Sequence, residues 1–131
     1  MLKVTINRAK WLSGHLGKSL ESFLRDKKGN MCCLGFACRA ARIPARYILG
    51  SGYPSDVALD ETPKALRDLF VEKEWVRTDS PVARSLVEAN DDLKISPAVR
   101  ERRIKSLGKQ AGLQFVFTGR YRTAKQVYGE Q

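Results

Sequence analysis

Residues 96–117 read SPAVRERRIKSLGKQAGLQFVF, and this stretch decides the fold because its apolar period changes partway. Ser96-Pro97 sets a capping hydroxyl before a proline at the first helical position. From Pro97 to Ala111 the residues Ile104, Leu107 and Ala111 fall within an arc of about 60° at 100° per residue, which predicts the longest helix of the chain. Gly112 is suited to its C-terminal stop. Leu113, Phe115 and Phe117 then recur every second residue, the period of a half-buried strand. At the other end of the chain Leu2, Val4 and Ile6 alternate with Lys3 and Thr5. Pairing these two strands buries one apolar face. The fold class predicted is therefore α+β, with about five helices packed on a small sheet formed by strands near the two termini.

The intervening sequence supplies the helices. Asn7 can cap a helix over Arg8–Ser13, with Trp11 and Leu12 inward and Gly14 stopping it. Ser19–Leu24 fits helix or strand. Asp26-Lys27-Lys28-Gly29-Asn30 is a turn, since Gly and Asn tolerate positive φ. Phe23–Arg25 and Met31–Cys33 can add a hairpin before the Cys-Cys helix. Cys32–Ile43 reads as a buried helix ended by Pro44, with a further turn over Pro44–Leu49. Gly50-Ser51-Gly52-Tyr53-Pro54 is a loop. Thr62-Pro63 and Ser80-Pro81 repeat the cap-proline device, opening helices to about Phe70 and Ala89. Residues 118–131 hold no periodic apolar face. The expected organisation is one globular domain over 1–117 and a basic tail over 118–131, free to move.

Charge is the strongest compositional fact. The 131 residues hold 24 Lys+Arg against 14 Asp+Glu, a formal net charge of +10. Residues 1–46 carry ten basic and two acidic residues, residues 47–96 six and ten, and residues 97–131 eight and two. A basic–acidic–basic chain can fold with one cationic face, which attracts polyanions with a salt-dependent strength. No apolar run approaches the roughly 20 residues that span a bilayer, and the N-terminus has no h-region, so neither a membrane nor a signal peptide is expected. Three cysteines, two of them adjacent, argue against a disulfide scaffold and for a reducing compartment.

The segment Gly29-Asn30-Met31-Cys32-Cys33-Leu34-Gly35, with Lys10-Trp11-Leu12 upstream and Asn90-Asp91 downstream, resembles a family of small uncharacterised bacteriophage proteins. In those, an Arg/Lys-Trp helix precedes a Gly-x-x-Cys-Cys-Leu-Gly segment, and an Asn-Asp pair lies nearer the C-terminus. The resemblance covers residues 3–117, loosely outside these three points. The present chain departs from it in a longer charged C-terminal helix and a basic tail. It implies a viral protein acting in the bacterial host cytoplasm, and it implies no activity. Small phage proteins often inhibit or redirect host machinery, so an effector of a host or defence component is the reading by analogy.

A cysteine at a helix N-terminus can have a lowered pKa, so Cys32 or Cys33 with His15 as base and Asn90, Asp91 or Asp92 as orienting group would make a nucleophilic triad. The competing reading is core packing, because Cys32, Cys33 and Cys38 sit in an apolar run. No zinc site is expected, since adjacent cysteines on a helix point about 100° apart and one histidine remains. Asn90-Asp91-Asp92 reads as a loop-ordering cluster. Gly50-Ser51-Gly52 lacks either phosphate-binding fingerprint, and no cofactor is called for. Gly35, unfavourable inside a helix, points to close approach of a second helix. The outer face of the last helix carries Arg102, Lys105 and Lys109, followed by Arg120, Tyr121, Arg122 and Lys125. Arg and Lys contact phosphates and a tyrosine can stack on a base, and Glu101 is the only acid within 97–129. Three functions follow: a non-enzymatic effector binding nucleic acid, a nucleoprotein or an anionic nucleotide; a cysteine-dependent hydrolase or transferase; and an inhibitor of an acidic host protein. No helix-turn-helix, zinc finger or RNA-binding sheet signature is present.

Overall fold

The computed structural model describes residues 1–17 and 23–129. Strand β1 (Leu2–Asn7) pairs in parallel with β4 (Leu113–Thr118), in the register Leu2–Leu113, Val4–Phe115 and Ile6–Phe117. The two apolar alternations thus share one face, with Val4, Ile6 and Leu113 fully buried. The α+β fold expected from the sequence is present. Among the described residues, five α-helices, with 3-10 turns between them, surround this ladder and a separate hairpin.

Helix α1 (Cys33–Ala40) packs on β1 and on α3 (Pro81–Asp91), and α4 (Pro97–Gln110) packs on α3 and β4. The cap-proline signals at α3 and α4 work as read. The Ser80 hydroxyl accepts from Ala83 N–H at 3.2 Å and the Ser96 hydroxyl from Val99 N–H at 3.2 Å. Gly112 turns the chain into β4 with φ of 72°, the left-handed conformation glycine adopts without a Cβ penalty.

Several boundaries differ. The helix expected over Arg8–Ser13 is one 3-10 turn, Arg8–Lys10, after which Trp11 bridges to Met31. Helix α1 stops at Ala40 rather than Ile43: Arg42 takes the left-handed position (φ 69°) while Ile43 N–H donates to Cys38 O at 3.0 Å, closing the helix end three residues early. Helix α2 is the short turn Ala45–Ile48. Thr62 does not cap: its hydroxyl pairs with Glu72, and residues Lys64–Leu69 form a 3-10 helix. The Ser19–Leu24 reading falls largely outside the described residues. Around Cys32, two bonds close a turn, Cys32 N–H to Phe23 O at 3.1 Å and Asp26 N–H to Asn30 O at 2.9 Å. The ladder hairpin lies elsewhere, between β2 (Phe70–Lys73) and β3 (Val76–Asp79), through a Glu74-Trp75 turn.

The sequence after β4 predicts no periodic apolar face. Instead α5 (Ala124–Tyr128) forms, capped by the Thr123 hydroxyl, and buries Val127 against Leu12 and Leu16. Ala124, Val127 and Tyr128 do stand at helical spacing on this face, but a period that lasts barely more than one turn among charged neighbours is too short to be read as a helix from the pattern.

Candidate anion-binding cleft

The three stretches that carry the motif resemblance meet in the core. The Asn90 carboxamide, 1% exposed at the end of α3, accepts from Trp11 Nε1 at 2.8 Å and from Cys33 N–H at 3.0 Å, and donates to Leu12 O at 2.8 Å. Asn90 therefore fastens the Trp11 segment to the start of α1, and does not order a loop as expected. Asp92 does, accepting from Lys94 N–H at 2.8 Å. Gly35 is required because a Cβ there would run into the Leu24 carbonyl; the close neighbour is the segment before α1, not another helix.

The same packing decides the state of the thiols. Cys32 occupies the N-cap position of α1 without a side-chain capping bond; the backbone N–H groups of Gly35 and Leu34 favour a thiolate there, but burial outweighs them and pushes its pKa up to about 12. Burial raises Cys33 well above the usual thiol range and Cys38 to about 12. Cys33 Sγ faces Leu86 O at 3.9 Å, and all three thiols lie in the main core. His15 is elsewhere: its Nδ1 lies within hydrogen-bonding reach of the Ser13 hydroxyl, and its ring packs 4.7 Å from that of Tyr121. Burial, then the Arg100 charge, lower its pKa to about 4. Asn90 and Asp91 bond to each other rather than orienting His15. Among the described residues no group of three or more His, Cys, Asp or Glu could hold a metal ion.

The basic residues are organised differently. An open cleft of about 650 Å³ runs between the first turns of α4 and the chain leaving β4. Pro97 and Ala98 form part of its floor, and Arg102, Lys105 and Arg120 surround it. All three cations are exposed. Glu101, the one acid, is taken up inside the wall. Arg8 grips it through Nη2 at 2.7 Å and Nε at 2.9 Å, while the Tyr121 hydroxyl donates to it. Arg8 also donates to Gly119 O at 3.1 Å and lies 5.6 Å from the Tyr121 ring centroid. Burial acts against the Glu101 carboxylate, but hydrogen bonds from Arg8 and Tyr121 hold its pKa below the usual range. Burial and that same bond raise the Tyr121 phenol far above its ordinary value. The acid is thus a neutralised strut.

Of the residues singled out in the sequence, Arg102, Lys105, Arg120 and Tyr121 are brought together. Tyr121 is not available to stack on a base: it is half-buried, with its ring 6.0 Å from Trp11 and its hydroxyl on Glu101. Lys109 is exposed further along α4, outside the cleft lining. Arg122 is turned to the backbone, donating to Ala9 O at 3.4 Å and to Gln126 O. Lys125 lies on α5. Arg8 was missed. No sequence signal points to it, since its partner Glu101 lies 93 residues away and the pairing depends on how α4 packs against the start of the chain.

Comparisons with protein-family models, curated proteins and solved structures returned no match to this chain. No helix among the described residues is long and apolar enough to cross a membrane.

Proposed function

We propose that the protein is a binding effector, without chemistry of its own, that holds the phosphate backbone of nucleic acid or of a nucleoprotein in the cleft between α4 and β4. The observation that carries this reading is the arrangement of Arg102, Lys105 and Arg120 around one opening whose single acid is already paired. Exposed cations without a competing carboxylate can release counterions on meeting phosphates. With the Tyr121 ring engaged internally, the cleft offers contacts to phosphates rather than a platform for bases. The phage and host-cytoplasm setting, including a defence component as target, is proposed from the motif resemblance alone. The buried, proton-retaining thiols speak against a cysteine nucleophile.

The test is binding of random-sequence DNA and RNA across a salt series, by fluorescence anisotropy. The Arg102→Gln/Lys105→Gln/Arg120→Gln variant is expected to weaken binding and to flatten the slope of log affinity against log salt by about one unit per lost contact. Lys109→Gln is expected to change it less. The substituted side chains are exposed, so the unfolding temperature should hold. Equal affinity and slope in the triple variant would sink the reading. A wild type that binds neither polymer at low salt would transfer it to an acidic host protein, since the same cations can steer protein association.

A further inference from the structure

The β2–β3 hairpin takes no part in the cleft. Its turn residues Glu74 and Trp75 have φ of 45° and 72°. A turn with positive φ at both central residues suits Asn-Gly and is resisted by bulky side chains. Trp75 occupies it nonetheless, and is fully exposed at 106%. The pairing register puts Phe70, Glu72, Arg77 and Asp79 on one face. That face is satisfied: Arg77 pairs with Glu72 at 3.0 Å and lies 5.6 Å from the Phe70 ring centroid. The other face carries Val71, Lys73, Val76 and Thr78, all exposed.

Beside the tip lies a groove of about 480 Å³, with Leu59, Asp60, Glu72, Val76, Arg77 and Trp75 itself in its walls. An exposed indole and an open groove are thus made by the same few residues. That coincidence is what a two-fold contact needs, because the same patch must serve as both halves. Charge points the same way. Lys73 and Glu74 stand side by side at the tip, so a two-fold axis can set each against its opposite in the other copy.

We infer that two copies of this chain associate about a two-fold axis at the hairpin, each Trp75 entering the groove of the other. An indole buries about 150–250 Å², so the contact is small and the dimer reversible.

Sedimentation velocity from about 1 µM to about 500 µM tests this, in the range where small interfaces dissociate. The wild type is expected to pass from monomer to dimer, with tryptophan emission moving to the blue. Of the two tryptophans Trp11 is fully buried, so the shift reports Trp75. Trp75→Ala should raise the dissociation constant at least tenfold. Lys73→Glu should weaken the dimer and Lys73→Glu/Glu74→Lys restore it. A wild type monomeric throughout, a Trp75→Ala variant that dimerises normally, or a charge swap no better than Lys73→Glu would each overturn the inference. Arg102, Lys105 and Arg120 take no part. Short-oligonucleotide affinity should therefore be equal in wild type and Trp75→Ala, and the two proposals fail separately.

Discussion

Asn90 makes three bonds across the core that no sequence window contains: its partners Trp11, Leu12 and Cys33 are more than fifty residues away. Replacing it with Ala leaves two buried donors and one carbonyl unpaired, and should lower stability by about 3 kcal/mol or more in urea unfolding. Asn90→Asp keeps the acceptor and loses the donor to Leu12 O, so it too should destabilise. Gly35→Ala forces the Leu24 carbonyl and α1 apart, with an expected loss of about 2 kcal/mol. His15 gives a pH signature. Its folded pKa, near 4, lies below the unfolded value near 6.5. Between those values the unfolded chain binds the extra proton, so stability is complete above about pH 6.5 and falls as pH drops towards 4. Discounted for its partial exposure, the loss is about 1–2 kcal/mol. Thermal melts of His15→Gln should be flatter than wild type over that window. Glu101, whose folded pKa is lowered, keeps its contribution above the ordinary carboxylate range and loses it only at lower pH, so the two effects separate. The cysteines were legible as core from their apolar run; the role of Asn90 was not, because a polar residue at a helix end has many local uses.

At the scale of elements, signals carried by adjacent residues were readable and signals that depend on distant surfaces were not. Ser80-Pro81 and Ser96-Pro97 open α3 and α4 because a hydroxyl, a fixed φ and the next N–H groups are all local. Thr62-Pro63 is the same kind of cap-proline pair, but the Thr62 hydroxyl donates to Glu72 of β2 instead of capping. Helix α5 shows the reverse. Its charged residues looked like a tail, yet Val127 at 3% exposure packs on Leu12 and Leu16. Val127→Ala should cost about 1–2 kcal/mol, read by thermal unfolding. No change would mean that α5 adds nothing to the fold. The stripe of Arg102, Lys105 and Lys109 was predicted from α4 alone. Tertiary packing divides it, joining the first two to Arg120 and leaving Lys109 aside.

For the molecule as a whole, the ladder joins residues 2–7 to residues 113–118, so nearly the entire chain must be closed into a loop before it forms. The amides of β1 and β4 should therefore exchange with solvent only through global unfolding, while the exposed β2–β3 hairpin opens locally. Hydrogen exchange giving the hairpin equal or greater protection would contradict that order. By itself the sequence determined the α+β class, the β1–β4 partnership, the starts of α3 and α4 and the net cationic charge. Each of these rests on a period, a short cap or a sum, quantities that neighbouring residues or the composition fully specify. Only the tertiary structure decided that Arg8 and Tyr121 neutralise Glu101, that Asn90 ties three segments together, and that Trp75 stands in solvent. Those outcomes depend on which surfaces meet. A side chain's partner across the core is fixed by the packing of elements far apart in the chain, and no local pattern encodes it.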